Sequence, residues 1–276
     1  MIKLDGKWYH IDATWGAGYS NGNEYIRKFN EFYFLPDPEL LIRTHFPLDE
    51  NWQLTKKIYT LIEFEKWPQI YSNFYQCGFR NFFPEEGYFE LKDSNTKKFI
   101  IYGENIMKKN LMCCIYLLND ENEGKEKEQD ISFINFYKNK IEIDCIFNKK
   151  GKYKINFLGN KGDSSTCNST LSYIVNVLND AKIPLSYPET FDGNKNINII
   201  EPLYNKLKSG EKIKFKMKSD LEKILIINDD IKEYLEKNRD GFFEKEIIIK
   251  AKPGGILKIG KSDEILINIY YQYNIV

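Results

Sequence analysis

Gly6-Lys7-Trp8-Tyr9-His10-Ile11-Asp12-Ala13-Thr14-Trp15-Gly16 is an alternating stretch that carries one acid into a turn. Lys7 to Ile11 alternates with period two, as a strand does, and Asp5-Gly6 before it is a hairpin-type turn. On such a strand Trp8, His10 and Asp12 share one face, while Tyr9, Ile11 and Ala13 share the other. Asp12 then has two readings. A carboxylate fixed at a strand end under tryptophans suits a triad acid, which orients a histidine and stabilises the imidazolium. The same carboxylate can instead cap the turn that follows it.

Residues 1 to about 70 differ from the rest. They hold all four Trp, both His and several Pro. Gly16 to Asn23 reads as a Gly-rich loop. Phe29 to Leu35 reads as an aromatic strand closed by Pro36-Asp37-Pro38. Pro38 to Thr44 reads as a short helical turn or strand, and Trp52 to Phe64 as loop plus short helix. The Tyr-, Phe- and Asn-rich stretch from Trp67-Pro68 to Pro84 contains the first boundary, with 71–86 as a connector.

Residues 87–180 change to short strands separated by turn signals. The expected strands are 88–91, 98–102, 112–118, 131–137, 140–147, 151–158 and 173–178, with 119–130 a solvated loop. So many strands in so short a span predict an antiparallel β-sandwich. Residues 181–276 repeat this grammar, with strands at 196–200, 212–216, 223–227, 242–251, 255–260 and 264–273 and one short helix at 230–238. A second sandwich is expected there. The composition agrees with a mainly β chain, with 19 Tyr, 19 Phe and little Ala.

Lys+Arg and Asp+Glu are both 40, which argues against a broad nucleic-acid footprint. The N-terminus has no apolar leader, and the longest apolar run, Leu111 to Leu118, is far too short to span a bilayer. Five cysteines without CxxC spacing predict reduced, mostly buried thiols in a cytoplasmic protein. No Cys/His cluster has zinc spacing, so neither metal nor cofactor is expected. The sequon Asn168-Ser169-Thr170 is read as incidental.

The run Gly6 to Gly16, with its Asp-x-Thr-Trp-Gly setting, resembles the last part of a transglutaminase-like cysteine catalytic core. The continuation is more specific. Asn30-Glu31-Phe32-Tyr33-Phe34-Leu35, Pro38-Glu39, His45-Phe46-Pro47 and Asn51-Trp52-Gln53-Leu54 resemble the kyphoscoliosis peptidase and hillarin-like family over residues 1 to about 65. The resemblance implies a partial transglutaminase-like (papain-like α+β) core over 1–70, followed by immunoglobulin-like sandwiches over 87–180 and 181–276. It also implies a Cys-His-Asp triad in which Asp12 matches the acid. The family's Cys and His precede the acid, and nothing in this sequence matches either one. The chain is therefore expected to be a catalytically inactive, protein-interacting module with cytoskeletal partners and no nucleic-acid or membrane partner. The alternative is a fragment of an active cysteine peptidase or protein-glutamine transglutaminase whose Cys and His lie upstream of Met1.

The remaining constellations have plainer readings. His10 is expected to be a surface or packed strand residue, and His45 a loop-packing residue. Cys77, in Gln76-Cys77-Gly78-Phe79, looks like a nucleophile turn only superficially. Cys113 and Cys114 sit on opposite faces of an apolar strand, and Cys145 and Cys167 are structural by default. Gly162-Asp163-Ser164-Ser165 matches a serine turn in composition alone. Pro253-Gly254-Gly255 is a turn and not a phosphate loop. Lys206 to Lys218 is a solvated strand face.

Overall fold

The computed structural model describes residues 1–20, 22–118, 127–128, 131–162, 166–183, 185–191, 194–262 and 266–276. Two strand hairpins open the chain. β1 (Ile2–Leu4) and β2 (Lys7–Tyr9) turn through Asp5-Gly6, both with left-handed φ, 48° and 78°. β3 (Gly18–Ser20) and β4 (Tyr25–Arg27) form the second hairpin in the stretch read as a loop. The aromatic segment expected as a strand over 29–35 is instead a 3₁₀ turn at Glu31–Tyr33. Asn30 decides this locally: its side chain accepts the Phe32 N–H, the bond that starts a helical turn. α1 (Pro38–Leu41) begins on an Asp37 cap with proline in its first turn. α2 (Leu61–Lys66) begins on a capping box in which Thr60 and Glu63 satisfy each other's backbone N–H.

The first sandwich starts earlier than its expected boundary. β5 (Gln69–Ile70), α3 (Ser72–Gln76) and β6 (Phe79–Phe83) occupy the stretch expected as a connector. They are followed by β7 (Tyr88–Leu91), β8 (Thr96–Gly103), β9 (Asn110–Leu118), β10 (Lys127–Glu128), β11 (Ser132–Phe136), β12 (Lys140–Ile146), β13 (Gly151–Asn160) and β14 (Asn168–Val177). One sheet runs β10-β9-β13-β14-β5, with β7 parallel to β14, and the other runs β11-β12-β8-β6. Alternation fills the space between them. Leu111, Ile115, Ile141, Ile143, Ile155, Phe157, Tyr173 and Val175 point inward, and Phe74 of α3 closes the same core. Most of the loop expected over 119–130 lies outside the described residues.

The second sandwich repeats this layout. Its strands are β15 (Glu189–Thr190), β16 (Ile197–Glu201), β17 (Lys206–Leu207), β18 (Lys212–Ser219), β19 (Lys223–Asn228), β20 (Ile231–Glu236), β21 (Phe242–Ile248), β22 (Ile256–Ser262) and β23 (Ile267–Ile275). One sheet runs β15-β23-β22-β19-β20, with β17 parallel to β23, and the other runs β16-β18-β21. A tyrosine of the last strand donates to a proline carbonyl in each sandwich: Tyr173 to Pro84 at 2.9 Å and Tyr273 to Pro202 at 2.7 Å. The helix expected at 230–238 is strand β20. Asn228 pairs directly with Ile231, and Asp229 takes a left-handed φ of 63°, so a two-residue turn folds the segment back onto β19.

Side-chain amides join the two sandwiches. Asn135 on β11 donates to Ile199 O at 2.9 Å and accepts the Ile199 N–H at 3.2 Å. Asn198 on β16 donates to Phe136 O at 2.7 Å and accepts the Phe136 N–H at 2.8 Å. The edges of two separate sheets thus satisfy each other's backbone groups through buried amides. Phe133 and Ile146 leave the first core and pack with Tyr187, Ile197 and Tyr271 in the second.

Candidate functional site

Asp12 sits past the end of β2, not within it. β2 stops at Tyr9, Ile11 makes a single antiparallel bridge to Phe34, and the Asp12 N–H donates to Tyr33 O at 3.0 Å. The chain then turns sharply. Asp12 Oδ1 accepts the N–H groups of Thr14 and Trp15 at 2.8 and 2.9 Å. Gly16 N–H returns to Asp12 O at 3.0 Å, and a Cβ on Gly16 would meet that oxygen at 2.5 Å, so the turn requires glycine there. The turn-capping reading of Asp12 describes half of its carboxylate.

The other oxygen has a partner that sequence reasoning missed. His45 Nε2 donates to Asp12 Oδ2 at 3.1 Å, across 33 residues. Its Nδ1 lies 2.8 Å from Thr44 Oγ1, which is also 3.1 Å from Leu41 O. The Thr44 hydroxyl has a single proton, which goes either to Leu41 O or to Nδ1. Trp15 meets the imidazole edge-on at 4.9 Å between ring centroids, and Tyr33 at 6.1 Å. Burial pushes the Tyr33 hydroxyl above its ordinary range; its Ser72 hydrogen bond opposes this, and the Asp12 charge adds to it. A cleft of about 190 Å³ opens beside the acid, walled by Ile11, Ala17, Phe29 and Phe34.

His10 does not join this pair. Its Nε2 donates to Trp52 O at 2.7 Å, and its buried Nδ1 has no hydrogen-bond partner among the described residues. The expected shared face of His10 and Asp12 fails because the strand ends at Tyr9, before both residues. His45 was legible only as one of two histidines, since nothing local to His45-Phe46-Pro47 points to residue 12.

The five thiols lie elsewhere. Cys77 caps α3 inside the first core, with its thiol 3.7 Å from Asn73 Oδ1. Cys145 is fully buried in that core, and Cys114 is buried on the outward face of β9. Cys113 and Cys167 are half-buried. The hydroxyls of the sequon are engaged internally, Ser169 with Asn156 and Thr170 with Phe157 O. Residues 163–165 of the serine-turn candidate lie outside the described residues. The lysine stripe of β18 is an ion-pair ladder: Lys214 meets Glu244 at 2.7 Å, and Lys212 meets Glu246. Pro253-Gly254-Gly255 is a turn, with the Gly255 N–H on Lys252 O. Among the described residues, no cluster of metal-binding side chains occurs, and no helix is long and apolar enough to cross a membrane.

Residues 1–62 bury little. Among the described residues, Tyr33, Pro36, Leu41 and Ile42 are their buried apolar side chains. Trp8, Trp15, Tyr19, Phe29, Phe34 and Ile62 are exposed, Phe29 at 69%. Leu4 and Trp8 are open to solvent, whereas Phe32 is half-buried and stacks on Tyr75 of α3 at 5.2 Å. Burial holds the Tyr75 hydroxyl up at about 12. Arg43 lies over the Trp67 ring at 3.9 Å, adding a second tie to the sandwich side.

Comparison with known proteins matches the region of the first sandwich. Residues 61–188 match the model of the KY-like, immunoglobulin-like domain. Kyphoscoliosis peptidase of Mus musculus is 30% identical over 174 residues, covering 62% of this chain and 24% of that protein. Hillarin of Drosophila melanogaster is 35% identical over 99 residues, 32% of this chain and 12% of that protein. The Lim and transglutaminase domain protein ltd-1 of Caenorhabditis elegans is 31% identical over 88 residues, 27% of this chain and 12% of that protein. The chain spans about a quarter of the length of the kyphoscoliosis peptidases it matches. Residues 61–188 are a KY-like, immunoglobulin-like domain, in a chain homologous to kyphoscoliosis peptidase, hillarin and ltd-1.

Proposed function

We propose that this chain is a protein-interaction module of the transglutaminase-like, kyphoscoliosis-peptidase-like kind, without catalysis of its own, cytoplasmic and bound to cytoskeletal proteins. In this reading residues 1–70 are the C-terminal part of a transglutaminase-like core, and Asp12 stands in the place of the triad acid. The observation that carries it is the Asp12–His45 pair. Both carboxylate oxygens already have partners, and the imidazole's second nitrogen faces the Thr44 hydroxyl. Covalent acyl chemistry of this class needs a thiolate against the imidazole, and the five cysteines belong to the sandwiches. The open aromatics of residues 8–62, and two hairpins that join no larger sheet, suit a surface that other polypeptide covers. The sandwiches act as the supporting arm.

The second reading is an enzyme. The acid is held at both oxygens beneath Trp15 and Tyr33, the rigidity that a triad acid requires. In that case another polypeptide segment brings the cysteine and a further histidine, for peptidase or glutamine-transferring chemistry.

Two measurements separate the readings. The full chain is incubated with a fluorescent primary amine and a glutamine-rich acceptor protein, and separately with an iodoacetamide-type probe. No amine incorporation and no Asp12-dependent labelling are expected; labelling that vanishes in Asp12→Ala establishes the enzyme instead. Co-sedimentation with actin filaments and with microtubules tests the partner class. A chain that stays in the supernatant with both ends the cytoskeletal assignment.

A further inference from the structure

We draw no further inference here: the strongest candidate, the groove of about 700 Å³ on the outer face of the β9-β13-β14 sheet, floored by Tyr116, Lys154 and Tyr88 and walled by Trp67 and Pro68, is an open sheet face, and nothing in the structure shows what covers it.

Discussion

Replacing Asn198 by Ala strips two backbone groups of Phe136 of their partners, the N–H at 2.8 Å and the C=O at 2.7 Å. Asn198 is only 7% exposed and Asn135 3%, so water does not reach these groups freely. A buried backbone group left without a partner costs about 1–3 kcal/mol, and two of them roughly 2–6 kcal/mol. A water entering the space vacated by the amide offsets part of this, which leaves roughly 2–4 kcal/mol. With a urea slope of about 3 kcal/mol/M for a chain of this size, the midpoint falls by about 1 M. The assay is urea unfolding followed by far-ultraviolet circular dichroism, with Asn176→Ala as the control. Asn176 makes one long exposed contact, to Glu90 at 3.3 Å, and its loss is expected to be near neutral. Asn135→Ala is expected to match Asn198→Ala, and the double variant to cost less than the sum, because opening the junction once wets both pairs. A shift below about 0.2 M for Asn198→Ala, or full additivity of the two variants, would refute the idea that the amides hold the sandwiches together.

Three further expectations concern other regions of the molecule. Lys57 and the Thr60 cap hold the Glu63 carboxyl at about 2, below its ordinary 4.5, so its contribution to α2 is present above the ordinary value and lost as pH falls through about 2; Lys57→Ala should move the midpoint up in an NMR titration. Asp12→Asn keeps an oxygen for the Thr14 and Trp15 N–H groups and should be milder than Asp12→Ala by about 1 kcal/mol in thermal unfolding followed by tryptophan fluorescence, and an equal loss in both would show that the turn bonds contribute nothing. Tyr173→Phe and Tyr273→Phe each leave a proline carbonyl without its donor and should each cost about 1–3 kcal/mol by calorimetry.

The sandwich strands were legible because burial on one face writes period two into the residues. Tyr88–Leu91 and the starts of the strands at Lys140, Gly151, Lys212 and Lys223 follow directly from that alternation. β20 was misread because Ile231, Tyr234 and Leu235 stand at helical spacing while most of the strand is exposed. The Asp229 turn overrides that spacing, and Asp-Asp is a weak hairpin signal beside Asn-Gly. The aromatic run at 29–35 hid its 3₁₀ turn because the deciding bond is a single side-chain cap at Asn30. Asp12 was legible as a turn acid. Its pairing with His45 was not, since it depends on how α1 and the following loop fold back over the turn. The junction amides were invisible for the same reason: two asparagines in different sandwiches carry no local sign that they exchange backbone partners.

Each sandwich places a short strand near its start parallel to its last strand, β7 beside β14 and β17 beside β23. When such a chain is pulled from its two ends, the paired strands are drawn in opposite directions along their own axes. The hydrogen bonds between them then carry the load side by side and must slide together, where an antiparallel hairpin would unzip bond by bond. Under tension these narrow parallel seams therefore load in shear, while β5 and β15, which run antiparallel to the same last strands, peel ahead of them.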